Sequence, residues 1–419
     1  MKRPIWIVAC GLLLLAGPAI WGEEVKQTPA TSPATSPSTR PEPKAISTQV
    51  SKGMKWLAGN QLPSGAWGQG DESQAMGGGQ NLKSQPNVAD TCMAVMALVR
   101  TGSSPKAGDY KDNVLGGVSF VCTQIENSDD KSLYVTELRS TRTQQKLGTY
   151  IDTFLAAQML GELRKQMPDE ASTKRVAAAL DKALNKIEHN QKANGQWVNE
   201  GWAPALAQAA ASKALNVAAQ NGAKVDEAVR ERAETFARGQ AQQAAQGKTV
   251  EGTAGVKLYG AGGDIAAMQA SDTTNKSLRA QADHVVANAA TMPAEEVKKA
   301  RDSLARYDAN AEDLQKAQKA VVANMDDKRF MAGFGSNGGE EFLSYLNIGE
   351  SLYIKGGDDW IKWDGSMTQN LNHIQNDDGS WSGDHCITGR TFCTSAALMV
   401  LTIDRAPEAL GEKIHEAHH

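Results

Sequence analysis

The stretch QNDDGSW, Gln375–Trp381, reads alone as a polar loop that ends in a tryptophan. Two other stretches share its skeleton: QLPSGAW at Gln61–Trp67 and QKANGQW at Gln191–Trp197. Each has Gln, three variable residues, Gly, one residue and Trp. An aliphatic residue, Leu57, Ile187 or Leu371, stands four positions before each Gln. Gly supplies a backbone conformation that other residues resist. Trp supplies a large packing surface with a single donor. Gln61, Gly65, Trp67, Gln191, Gly195, Trp197, Gln375, Gly379 and Trp381 therefore read as a structural repeat. Asp377 and Asp378 inside it read as turn residues rather than catalysts.

Working outward, each copy follows an amphipathic helix. STQVSKGMKWLAGNQ puts Val50, Met54, Leu57 and Ala58 on one stripe, and RVAAALDKALNKIEHNQ does the same with Val176, Leu180, Leu184 and Ile187. Such helices bury one face and wet the other. A second kind of helix is apolar nearly all round: DTCMAVMALV (Asp90–Val99), YIDTFLAAQML (Tyr150–Leu160) and TFCTSAALMVL (Thr391–Leu401). A helix apolar on every side has to be enclosed by others. Asp90 is expected to cap its helix by accepting first-turn N–H groups. The pattern predicts an all-α chain of stacked helix pairs, half-wetted outside and buried inside. Residues 222–325 differ, being rich in Ala and Gln; they read as a peripheral helical hairpin or a degenerate repeat, with GTAGVKLYGAGGDIAAMQA as a glycine-bearing core helix.

The fullest copy, with Lys52, Trp56, Leu57, Gln61, Gly65 and Trp67, resembles the QW repeat of squalene and terpenoid cyclases and the related repeat of protein prenyltransferase β subunits. The resemblance covers about residues 46–405. Copies two and three depart from it, with Lys186 and Asn370 where the family has an aromatic. It implies an α/α toroid: a two-layer ring of inner and outer helices, of roughly six or seven pairs at about fifty residues per pair. It further implies a central apolar pocket and corners in which Gln and Trp tie an outer helix to its neighbour.

The chemistry of those families is not carried over intact. The proton-donating motif Asp-x-Asp-Asp-Thr has its nearest match in NVADT, Asn87–Thr91, where Ala89 stands in place of the middle Asp. Aromatics are only 5% of the chain, too few to line a cavity that stabilises carbocations. No Asp-Asp-x-x-Asp is present to hold Mg²⁺ on a diphosphate. Asp384, His385, Cys386 and Cys393 are clustered and all capable of binding zinc. They do not align with the family's ligand set, so a disulfide between Cys386 and Cys393, or a capping role, is favoured over a metal. Glu340 and Glu341 follow a glycine-rich loop and suit the dipole of a first helical turn.

By analogy with the toroids, inner-helix starts line the cavity. Asp90, Asp152 and Glu341 are then the candidate catalytic carboxylates, and Asp90, Asp152, Tyr345 and Arg390 the candidate ligand contacts. Trp360 and Trp363 are the candidates for an exposed aromatic patch. The leading expectation is a ligand-binding or scaffold protein without the cyclase proton donor. The alternative is an isoprenoid-processing enzyme that uses other residues. An apolar, isoprenoid-like ligand is the expected partner, and no cofactor is expected. The net charge of −4 gives no reason to expect nucleic acid.

Lys2 and Arg3 precede an uncharged run, Pro4–Gly22, which reads as an export signal, with an uncleaved anchor as the rival; Pro18 and the small residues after it favour the signal. Residues 23–45 carry Pro at 29, 33, 37 and 41 in a Ser/Thr background and read as a disordered tether. Residues 46–405 are the folded part, and 406–419 a disordered tail. The expected placement is periplasmic or secreted. The pairing of Cys92, Cys122, Cys386 and Cys393 and the oligomeric state are left open.

Overall fold

The computed structural model of the chain describes residues 43–72, 82–198 and 200–405, all within one unit, Arg40–His419. The expected leader, most of the tether and the tail lie outside the described residues. The helices are α1 (Thr48–Gly59), α2 (Val88–Arg100), α3 (Lys111–Asn127), α4 (Arg142–Lys146), α5 (Ile151–Leu163), α6 (Glu170–His189) and α7 (Pro204–Gln220). They continue as α8 (Glu227–Ala245), α9 (Lys257–Ala287), α10 (Ala294–Asn324), α11 (Lys328–Met331), α12 (Gly339–Lys355), α13 (Asp358–His373) and α14 (Arg390–Leu401). Among the described residues, β structure is confined to two isolated bridges. None of the described helices is both long and apolar enough to cross a membrane.

The two kinds of helix separate as their side chains dictate. Every residue of α5 is buried, as are nearly all of α2, α12 and α14. In α1 only Val50, Gly53 and Leu57 are buried. In α13 only Trp360, Trp363, Met367 and Leu371 are. Trp360 and Trp363 are thus core residues, 3% and 1% exposed, and not a surface patch: they occupy the inward stripe of an amphipathic helix. Among the buried helices, α2 packs on α5, α5 on α7, α7 on α9, α9 on α12, α12 on α14, and α14 on α2. The half-wetted helices cover them: α3 on α2, α6 on α5, α8 and α10 on α9, α13 on α12 and α14, and α1 on α14.

Small residues bring the buried helices close. A Cβ at Gly262 of α9 would lie 2.9 Å from the Ser344 Cα of α12. Helix α7 faces its neighbours with Ala207, Ala211, Ala214 and Ala218, all buried.

The three Gln-Gly-Trp stretches make the same bonds. Trp67 Nε1 donates to Leu57 O at 2.8 Å, Trp197 Nε1 to Ile187 O at 2.7 Å, and Trp381 Nε1 to Leu371 O at 2.8 Å. Each indole thus takes up a carbonyl at the frayed end of its own helix. The backbone N–H of each Trp is tied forward, to Thr91 of α2, Gln208 of α7 or Thr394 of α14. Each Gln side chain donates to its own glycine carbonyl and also to a backbone carbonyl at another outer helix. These are Asn113 O (2.9 Å), Val229 O (3.0 Å) and Gln49 O (2.9 Å). The glycines have φ of +83°, +89° and +92°, a region that costs any residue with a Cβ. The last of these links joins residues far apart in the chain, α13 to α1. Nearby, Lys44 N donates to Asp404 Oδ2 at 2.8 Å, so the two ends of the folded part meet.

The Ala/Gln-rich region forms α8, α9 and α10, without a copy of the stretch. The first half of α9 is buried, through Asn275, and serves as a core helix. Its second half leaves the core and runs with α10, the two joined there by the Arg279–Asp308 ion pair. The region is therefore a helix pair at its base and a hairpin at its tip.

Candidate functional site

The buried helices α2, α5, α12 and α14 bring titratable side chains to two places: the first turns, and the point where the helices face one another.

At the first turns lie Asp90 and Asp152, and Glu340 and Glu341 from α12. All four are buried, between 0% and 2% exposed. The N-cap of α2 is Asn87, whose Oδ1 accepts from Asp90 N at 2.9 Å. Asp90 is therefore inside the helix and is not the cap that its sequence position implied. Neither of its carboxylate oxygens meets a donor in hydrogen-bonding geometry. Burial pushes its carboxyl up to about 7, opposed by the Asn87 side chain; Asp152 and Glu72 add repulsion.

Asp152 performs the capping across the helix boundary. Its Oδ1 accepts from Ala89 N at 3.0 Å, and its Oδ2 from Gln144 Nε2 at 2.7 Å. Its carboxyl is also raised by burial, though these donors oppose the rise. Glu340 Oε2 accepts from Ile387 N at 3.2 Å, and its other oxygen is unpartnered. Burial and then the neighbouring Glu341 bring its carboxyl to about 7. Glu341 accepts from Tyr259 Oη at 2.5 Å and Phe334 N at 2.9 Å, and lies 3.5 Å from His385 Nε2. Burial raises it despite those donors. Burial thus raises all four carboxyls, and carries Asp90 and Glu340 to about 7.

The other candidates are placed differently. Arg390 pairs with Asp378 of the third Gln-Gly-Trp stretch at 2.5 Å, where both side chains are partly exposed, and not with the buried Asp90 or Asp152. Tyr345 donates to Met331 O at 2.5 Å and packs on Phe342 and Trp363, so it serves as a core anchor. The cysteines Cys92, Cys122, Cys386 and Cys393 are all free and buried. The expected Cys386–Cys393 disulfide is not formed: Cys393 Sγ is turned to Ile387 O, at 3.4 Å. Burial, and then Glu340, push the Cys386 thiol up to about 12, so it is inert as a nucleophile. Asp384, His385, Cys386 and Cys393 do not converge on a metal position; among the described residues no set of three such side chains does. His385 is instead hydrogen-bonded toward Ser336 O, and its ring is tilted against that of Phe334 with centroids 5.3 Å apart. Phe334 and Trp202, 51% and 43% exposed, meet edge to face with ring centroids 5.8 Å apart. They are the exposed aromatics that Trp360 and Trp363 were expected to be.

Where α2, α5, α7, α12 and α14 face one another, the expected apolar pocket is filled. Met93, Met96, Leu155, Leu206, Leu343, Leu346 and Met399 leave a cavity of about 10 Å³, roughly the room for one water. Its floor is an ion network. Arg100 donates to Glu162 at 2.7 Å and to Glu350 at 2.5 Å, and Lys213 Nζ lies 2.6 Å from Glu350. Burial disfavours the charge on Glu350, but Lys213 and Arg100 outweigh it and hold its carboxyl below the usual range. The signal for this network was present in the sequence. Arg100, Glu162, Lys213 and Glu350 are solitary charges in otherwise apolar helical runs, and such charges have to find one another.

Larger cavities lie elsewhere, beside α8, α9 and α10. They measure about 480 and 270 Å³ and share Val250 and Asp264. Compared with known proteins, the chain matches no family model, no curated protein and no solved structure.

Proposed function

We propose that this chain is an α/α toroid of six helix pairs that serves as an exported binding or scaffold protein and does not run cyclase or prenyltransferase chemistry. The cyclic order of neighbours among α2, α5, α7, α9, α12 and α14 supports the ring. So does the Gln375 link from the last corner to α1. The sequence resemblance carries the relation to the cyclase and prenyltransferase superfamily, and the basic-then-apolar leader supports export.

The observation that carries the functional reading is the filled centre. Small-molecule sites commonly enclose about 300–1,000 Å³, and a linear isoprenoid has no room where about 10 Å³ remains. Opening that space would tear apart the Arg100 network, which costs several kcal/mol for each charge left buried and unpaired. Purified protein incubated with squalene or a prenyl diphosphate is expected to return the substrate unchanged and to melt at an unchanged temperature. A cyclised or transferred product, abolished by Asp90→Asn, would establish the enzyme reading instead.

A further inference from the structure

The two cavities beside α9 meet at one side chain. The larger is walled by Ala241 and Ala245 of α8, Ala261 of α9, Ala317 and Val321 of α10, and Phe330 of α11. The smaller reaches Trp197 of the second corner and Phe236 of α8. Gly260 lines one cavity and Gly263 the other, so α9 presents little bulk just before the one α9 residue that both cavities touch. That residue, Asp264, is 9% exposed and lines both.

Asp264 makes no hydrogen bond or ion pair among the described residues, and its only perturbation is burial, which raises its carboxyl well above the ordinary range. The other buried acids of α8, α9 and α10 each have a cationic partner. Asp313 is held by Arg238 at 2.8 Å and Gln242 at 2.9 Å. Glu234 is held by Asn275 at 3.0 Å and Arg306 at 3.2 Å. Asp272 is held by Lys276 at 2.8 Å. An isolated carboxylate facing apolar walls is among the most costly groups a protein can bury, and a cation brought to it removes that cost.

We infer that the cavity around Asp264 is a binding site for an organic cation with an apolar body, a primary amine carried on an aryl or alkyl chain. The ammonium sits against Asp264, and the chain lies along the alanine wall toward Phe330. The volume of about 480 Å³ suits a molecule of that size. Lys248, Lys257 and Lys316 line the outer part of the larger cavity. Lys316 is paired with Glu312 at 2.7 Å. Lys248 and Lys257 are exposed, where water and salt screen their repulsion. Glu200 and Glu251 line the smaller cavity together with one lysine, Lys192, so its charge balance is acidic. The site is built from α8, α9, α10 and α11 and does not rest on the toroid reading.

The test is titration calorimetry of the full chain with phenylbutylamine and with the neutral phenylbutanol of the same shape. The amine is expected to bind at least about tenfold more tightly than the alcohol. Asp264→Asn, which keeps the shape of the side chain, is expected to erase that preference. Ala261→Phe, which fills the larger cavity, is expected to abolish binding of both. Equal affinity for amine and alcohol in the unaltered protein, no binding of either, or a preference that survives Asp264→Asn would each overturn the assignment. The comparison of amine with alcohol in the unaltered protein decides the matter even if a variant fails to fold.

Discussion

Two groups of buried carboxylates sit on the same helices and behave in opposite ways. Glu162 and Glu350, where the helices face one another, are matched by Arg100 and Lys213. Asp90, Asp152 and Glu340, at the first turns, have no lysine or arginine paired to them among the described residues; they meet neutral donors or nothing. Depth is the same in both places, and so it cannot be what distinguishes them. The partner decides the protonation state: the matched pair holds Glu350 ionised, while desolvation leaves Asp90 and Glu340 half-protonated near neutral pH.

The largest effect should come from breaking the matched group. Arg100→Met leaves two carboxylates buried with only Lys213 between them, and a loss of about 3–5 kcal/mol in urea unfolding is expected. A double variant, Arg100→Met with Glu162→Gln, keeps the Lys213–Glu350 pair and should recover most of that loss. A double variant no more stable than the single one would mean that the network is packing and not charge.

The unmatched group should respond with the opposite sign. The folded state holds a proton on Asp90 up to about pH 7, whereas its ordinary value is 3.8. Between those values the folded protein binds more protons than the unfolded one, so stability falls as pH rises through the window. Asp90→Asn removes that slope and should stabilise the protein at pH 8 by about 2–4 kcal/mol. Unfolding curves across the window that are parallel for the variant and the parent would show that Asp90 is ionised throughout. Glu350, held below its ordinary value of 4.5, contributes stability that is lost only as pH falls through its folded value. The two groups should therefore bend the pH–stability curve at opposite ends.

Glu340→Gln should act in the same direction as Asp90→Asn but more weakly, by about 1–3 kcal/mol at pH 8, since its carboxyl rises only from 4.5 to about 7 and its bond from Ile387 N can be kept by the amide oxygen. Melting temperatures at pH 5 and pH 8 report it: the difference between them should shrink in the variant. Smallest of all, Arg390→Ala breaks a partly exposed pair with Asp378 and should cost no more than about 1 kcal/mol. A loss as large as that of Arg100→Met would place Arg390 in the buried network after all.

Much of the helical layout was legible because it is written in short-range pattern. Apolar residues all round Asp90–Val99 and Thr391–Leu401 require enclosure, and a stripe in Thr48–Gly59 requires one wet face. The corners were legible because a Gly at positive φ and a Trp in need of one acceptor specify local geometry. The site was much less so. The sequence placed Asp90 as a cap and Arg390 beside it. Asn87 took the cap, and Asp378, from a neighbouring turn, took the arginine. No local pattern shows which of several polar groups wins a contact across helices.

By itself the sequence determined that the chain is helical, which helices are enclosed, and where the repeated corners fall, because those follow from period and composition. Tertiary structure alone decided that little space remains where α2, α5, α7, α12 and α14 face one another and that Asp264 is left without a counterion. Both depend on how near the glycine- and alanine-bearing helix faces approach, and on which charges, remote in sequence, come within a few ångströms of each other.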